Sequence, residues 1–128
     1  MRITALQHSC PLGRALSLLS GRWKSSILCA LLDQHPAPIR FMELQRIAGR
    51  KAGAPAALSR KVLSHELKEL ERDGLVHRAP GPSPRARPPL DIRYSLTEWG
   101  ARLSPVFEAL GEWSARRGPL ELLATGPA

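Results

Sequence analysis

Cysteine is scarce in this chain of 128 residues: only Cys10 and Cys29 are present. One pair of thiols far apart in sequence cannot build a disulfide framework, and such sparse usage points to a reducing compartment. Aromatic residues make up 5% of the chain, so the core is expected to consist of Leu, Ala, Val and Ile. Long apolar runs are missing as well. The longest, ILCALL, falls far short of the roughly 20 residues that a membrane-spanning helix needs. His8 and Arg14 interrupt any apolar stretch near the N-terminus that would serve as a signal peptide. A cytoplasmic protein with no membrane partner is therefore expected, and the length suits one domain with a single core.

Acidic residues are also in the minority, 11 against 19 Lys and Arg, for a net charge of +8 and a pI near 10.7. A surface of that sign attracts polyanions. The charge is concentrated: residues 50–93 hold ten Lys or Arg and five Asp or Glu, so that stretch alone carries +5. Arg outnumbers Lys fifteen to four. Charge alone fits a merely soluble basic surface equally well.

Apolar spacing predicts helices over 11–19, 23–32, 41–48 and 58–73. Pro11 suits the first position of its helix, Gly21 breaks the chain after it, and DQHPAP ends the second helix. Gly49 is read as the stop of the third helix and RKAGAPAA as a loop or a frayed helix entry. In the fourth, Leu63, Leu67 and Leu70 fall at i, i+4 and i+7, and Gly74 supplies the stop. The segments 75–78 and 91–96 read as strands. In the second, Ile92, Tyr94 and Leu96 alternate with Asp91, Arg93 and Ser95. Between them APGPSPRARPPL is too rich in proline to pair as a central strand and forms a hairpin tip. Ser95 or Thr97 can cap the final helix, which runs towards Arg117 with Pro105 either kinking it or marking its start.

Helices followed by an arginine-tipped hairpin give a mainly α protein with a small β-hairpin, a winged helix-turn-helix. The expected contacts to double-stranded DNA are Ser59, Arg60, Lys61, Ser64, His65 and Lys68 on the fourth helix, and Arg78, Arg85, Arg87 and Arg93 on the hairpin. Short polar and cationic side chains of this kind reach bases and phosphates, and arginine in a flexible wing suits the backbone or minor groove. Residues 1–118 are expected to form the DNA-binding and dimerisation domain, with 119–128 as a loose tail. A homodimer is expected because Leu12, Leu16 and Leu19 on the first helix, and Val106, Phe107, Leu110 and Trp113 with Leu103 on the last, exceed what one small domain needs to bury.

Four blocks in order, CPLGRALSLLSGRW, RFMELQRI, LSRKVLSHELKELERDGLVHR and IRYSLTEWG, resemble the HxlR-type bacterial transcriptional regulators, relatives of the MarR regulators. The resemblance implies a dimeric winged-helix DNA-binding protein joined through its first and last helices. It also implies a sensing cysteine near the N-terminus in some members, and Cys10 falls at that position. Three features depart from the family pattern. The turn AGRKAGAPAALS is longer than usual, the wing is longer and richer in proline, and SGRW stands where Gly-Gly-Lys-Trp is common. Loop insertions of this size cost little.

Cys10 has two readings. If Pro11 begins the first helix, Cys10 is its cap, and its sulfur sits beside unpaired backbone amides at the positive end of the helix dipole. With Arg14 one turn on and His8 close by, such a setting favours the reactive thiolate and a response to oxidants or small electrophiles. Alternatively Cys10 is structural and the protein answers to a small apolar effector. An enzyme is not expected, since a resolving C-x-x-C is absent, and His8 with Cys10 supplies too few ligands for a metal site. No cofactor is expected. A sequence-independent nucleic-acid binder remains a further alternative. Cys29 reads as a small core residue, His35 as a loop residue, and His77 as a phosphate contact or a bystander. Trp23, Trp99 and Trp113 read as core or interface.

Overall fold

Leu63, Leu67 and Leu70 share one side of a helix by their spacing, and all three are buried in the folded chain. In the computed structural model, which describes residues 10–82 and 91–116, they belong to α4 (Arg60–Arg72). Their partners come from the same apolar cluster: Ile27, Leu28, Ala30 and Leu31 of α2 (Lys24–Gln34), and Leu44 and Ala48 of α3 (Phe41–Lys51). Burying a leucine contributes about 1.5–3 kcal/mol relative to leaving it exposed, so this face anchors α4. Its ends follow local chemistry. The Val62 N–H donates to Oγ of the N-cap Ser59 at 3.1 Å, and Gly74 turns the chain away with a φ of 79° that favours glycine.

The remaining described elements are α1 (Pro11–Leu18), β1 (Ile39–Arg40), β2 (Val76–Pro80), β3 (Ile92–Leu96), α5 (Glu98–Ala101) and α6 (Leu103–Arg116). The strands form one antiparallel sheet in the order β1-β3-β2, with Ile39 opposite Tyr94 and Val76 opposite Leu96. Ile39, Val76, Tyr94 and Leu96 all point into the core. This is the winged helix-turn-helix arrangement, mainly helical with a small sheet.

Several elements differ from the sequence reading. β1 was not expected; two residues are too short to show a period, and the strand exists because β3 lies beside it. Gly49 does not stop α3, which continues to Lys51. Gly49 is buried inside the helix, and a Cβ there would lie 3.0 Å from the Cα of Pro55. The glycine thus lets the long turn fold back onto α3, and Gln45 Nε2 donates to the Leu58 carbonyl at 2.9 Å to fasten its far end. β2 begins and ends later than the expected 75–78. The final helix is divided at Arg102 into α5 and α6, with Pro105 in the first turn of α6, where a missing N–H costs nothing. Thr97, not Ser95, is the cap: its hydroxyl accepts from the Gly100 N–H at 3.0 Å and donates to the Gly74 carbonyl at 2.6 Å. Asp91, expected on the solvent side of its strand, is buried.

Gly100 marks a second close approach. A methyl group built there would overlap the Leu75 carbonyl oxygen, a backbone atom that cannot swing aside. Gly100→Ala should destabilise the fold by roughly 1–3 kcal/mol, as overpacking does. Thermal unfolding followed by circular dichroism measures this, and an unchanged melting temperature would contradict it.

Candidate nucleic-acid interface

On α4, Lys61, His65, Lys68 and Arg72 recur at i, i+4, i+7 and i+11, which aligns them on the side opposite the buried leucines. All four are exposed, as is Arg60 in the first turn, while Ser64 is half-buried beside them. The structure therefore brings Arg60, Lys61, Ser64, His65 and Lys68 together on one accessible surface. Ser59 has a different first duty, because its hydroxyl is committed as the helix cap. Arg72 reaches the neighbouring Asp73 at 3.1 Å.

The flank of this surface contains a cluster that sequence reasoning missed. Lys24, in the first turn of α2, is 2% exposed. Its Nζ donates to Glu66 Oε2 and to Glu69 Oε1, both at 2.6 Å. Glu69 also faces His65 at 3.7 Å. A buried ammonium is tolerable only when paired, and two carboxylates from α4 supply the pairing across 42 and 45 residues of sequence. No local spacing pattern signals such a contact.

At the base of the wing, Arg78 is exposed on β2. Arg93 is half-buried instead, its Nε donating to Asp91 Oδ1 at 3.1 Å. The exposed Arg40 of β1 approaches the same oxygen at 3.6 Å. Arg93 thus serves first as the partner of a buried carboxylate, and its charge is largely offset there. Arg85 and Arg87 lie outside the described residues.

Residues 18–121 match the family model described as HxlR-like helix-turn-helix. The chain belongs to this family. It is a transcriptional regulator of the HxlR and MarR type, similar over 106 residues to an HTH-type transcriptional regulator of Halalkalibacterium halodurans. The two are 41% identical, and the match covers 83% of this chain and 82% of the relative. Among solved structures it is similar to the redox regulator HypR in its reduced form, at 31% identity and a TM-score of 0.68, covering 88% of this chain and 98% of HypR. It is also similar to YodB of Bacillus subtilis in its reduced form, at 33% identity and a TM-score of 0.61, covering 84% and 92%. YodB has also been solved after diamide treatment, with a TM-score of 0.58 at 33% identity, covering 85% of this chain and 96% of YodB.

In this HxlR-like regulator neither α1 nor α6 contributes a buried residue. Leu12, Leu16, Val106, Leu110 and Trp113 are exposed, Trp113 at 70%. Leu19 and Phe107 behave otherwise. Both are half-buried against the domain's own core, with Leu19 just past the end of α1. A cleft of about 190 Å³ opens between these helices and the winged domain, lined by Ala15, Leu18, Leu19, Leu75, Trp99, Arg102, Leu103 and Val106. Trp99 is exposed at its edge and Trp23 is buried.

Cys10 is the N-cap of α1, as the Pro11 position implied. It is exposed, makes no side-chain capping hydrogen bond, and accepts the Arg14 N–H at its carbonyl at 3.0 Å. His8 lies outside the described residues. Cys29 is half-buried on α2, and burial pushes its thiol above the ordinary range. Lys51 partly opposes this and Asp33 adds to it. Among the described residues no cluster of three or more His, Cys, Asp or Glu could hold a metal ion, and no helix is long and apolar enough to cross a membrane. Because only thiolate reacts readily, iodoacetamide at mildly alkaline pH should label Cys10 well before Cys29. Peptide mass spectrometry over a time course reads the order, and equal rates would contradict it.

Proposed function

We propose that this regulator binds an inverted-repeat DNA operator as a homodimer, with α4 in the major groove and the wing on the flanking backbone or minor groove. The observation that carries this reading is the exposed Lys61, His65, Lys68 and Arg72 stripe opposite the buried leucine face of α4. In this placement Arg60, Ser64 and the Ser59 N-terminus would meet base edges. The exposed Arg78 would add a cation at the base of the wing while Arg93 is held by Asp91, and Arg85 and Arg87 are proposed as the wing's phosphate contacts. Residues 1–118 form the DNA-binding and dimerisation unit in this reading, and 119–128 a tail. Replacing Arg60 or Lys61 with Ala should weaken operator binding by roughly 1–3 kcal/mol where the side chain reads a base. Replacing Arg85 and Arg87 together should weaken all duplexes alike and lower the salt slope by about one per lost phosphate contact. Fluorescence anisotropy across a salt series measures both, and variants indistinguishable from wild type would overturn the placement.

The exposed residues of α1 and α6 support the homodimer reading, since an apolar stripe of this kind marks an interaction surface. Pairing across a two-fold axis would cover Leu12, Leu16, Val106, Leu110 and Trp113 and set two α4 helices about 34–36 Å apart. Cys10 begins one of these helices, is exposed, and couples the interface to redox chemistry. Oxidation by diamide would join the Cys10 thiols of two protomers. Each thiol gives up one proton and one electron to form the disulfide, and diamide takes up both as its hydrazide. HypR, named a redox regulator, and YodB, solved after diamide treatment, support this reading. The apolar cleft beside α1 favours a second reading, in which a small apolar effector is the signal and Cys10 is structural. Light scattering should give a dimer at micromolar concentration, and diamide should change DNA binding of the wild type but not of Cys10→Ser. A monomer overturns the first expectation, and an equal response of Cys10→Ser favours the effector.

A further inference from the structure

Two carboxylates stand beside the basic stripe of α4, where negative charge would repel a phosphate backbone. Glu66 and Glu69 follow the stripe along its α2 side, and Glu69 lies next to His65, a member of that stripe. Both carboxylates are only 14% exposed, and both are held by Lys24 Nζ at 2.6 Å. Lys24 itself is out of reach of DNA, because its side chain is 3% exposed under the flank of α4. With Lys24 present the three groups sum to one negative charge; without it they would sum to two, beside the basic stripe.

We propose that Lys24 is a positioning residue for DNA binding: it screens Glu66 and Glu69 from the phosphate backbone and pins the flank of α4, so that the stripe from Lys61 to Arg72 presents a continuous positive face. The inference rests on α4 being the DNA-reading helix. A Lys24 that merely fastened α2 to α4 would stabilise the fold without altering the electrostatics of binding, and the two roles separate under salt and under charge rescue.

The probe is a labelled mixed-sequence DNA duplex, whose affinity reports the sequence-independent electrostatic part of binding. Lys24→Met should lower that affinity about tenfold at low salt, and the deficit should shrink as salt is raised. Adding Glu66→Gln and Glu69→Gln to Lys24→Met should return the affinity to the wild-type level or above. If circular dichroism shows that Lys24→Met does not fold, the Glu66→Gln variant decides. Its amide oxygen still accepts from Lys24, Glu69 remains as the counter-ion, one negative charge is gone, and it should bind the duplex more tightly than wild type. A triple variant as weak as Lys24→Met, a deficit insensitive to salt, or a Glu66→Gln variant that binds no tighter than wild type overturns the role of Lys24. A wild-type protein that fails to bind the duplex overturns the DNA reading itself, and this role with it.

Discussion

The docking of α4 imposes the strictest constraint in this molecule, because one helix has to bury one side and keep the opposite side accessible. Successive side chains on a helix are separated by about 100°, so rotation by a single residue would send a lysine into the core and a leucine into water. Leu63, Leu67 and Leu70 set the orientation through burial. The Lys24 pairs to Glu66 and Glu69 fix the flank, and Ser59 and Gly74 define the ends. The long turn before α4 is accommodated because Gly49 admits Pro55 against α3 and Gln45 holds the Leu58 carbonyl. An insertion in this region therefore leaves the helix where the core requires it.

The peripheral helices obey a weaker constraint. A domain of this size has an internal surface for α2, α3, α4 and the sheet, and little for α1 and α6. Leu19 and Phe107, with Leu103, attach them to the core, while Leu12, Leu16, Leu110 and Trp113 stay outside it. The division between residues that hold a helix to its own domain and residues left for a second surface falls within single helices. Phe107 and Leu110 are one turn apart yet have different environments.

Much of the fold was legible because its signals are local. Pro11 and Cys10 begin α1, the i, i+4, i+7 leucines define α4, and alternation in 92–96 defines β3. Gly74 and Thr97 mark the ends of elements by chemistry that acts over a few residues. What escaped was non-local. β1 is two residues long and owes its existence to β3, and Gly49 resembles a helix stop until Pro55 is seen against it. Arg93 counts as one more cation in the sequence, but in the fold it is bound to Asp91.

The sequence by itself determined the order of the main helices and of β2 and β3, and the basic side of α4, because periodicity and turn chemistry act between residues that are neighbours along the chain. Only the tertiary structure decided which charges are available. Lys24 and Arg93 are cations in the sequence, yet each is spent on a carboxylate, in the case of Lys24 on residues more than forty positions away. Burial removes water from such groups and makes the pairing obligatory, and which groups are buried together is a property of the fold rather than of any segment.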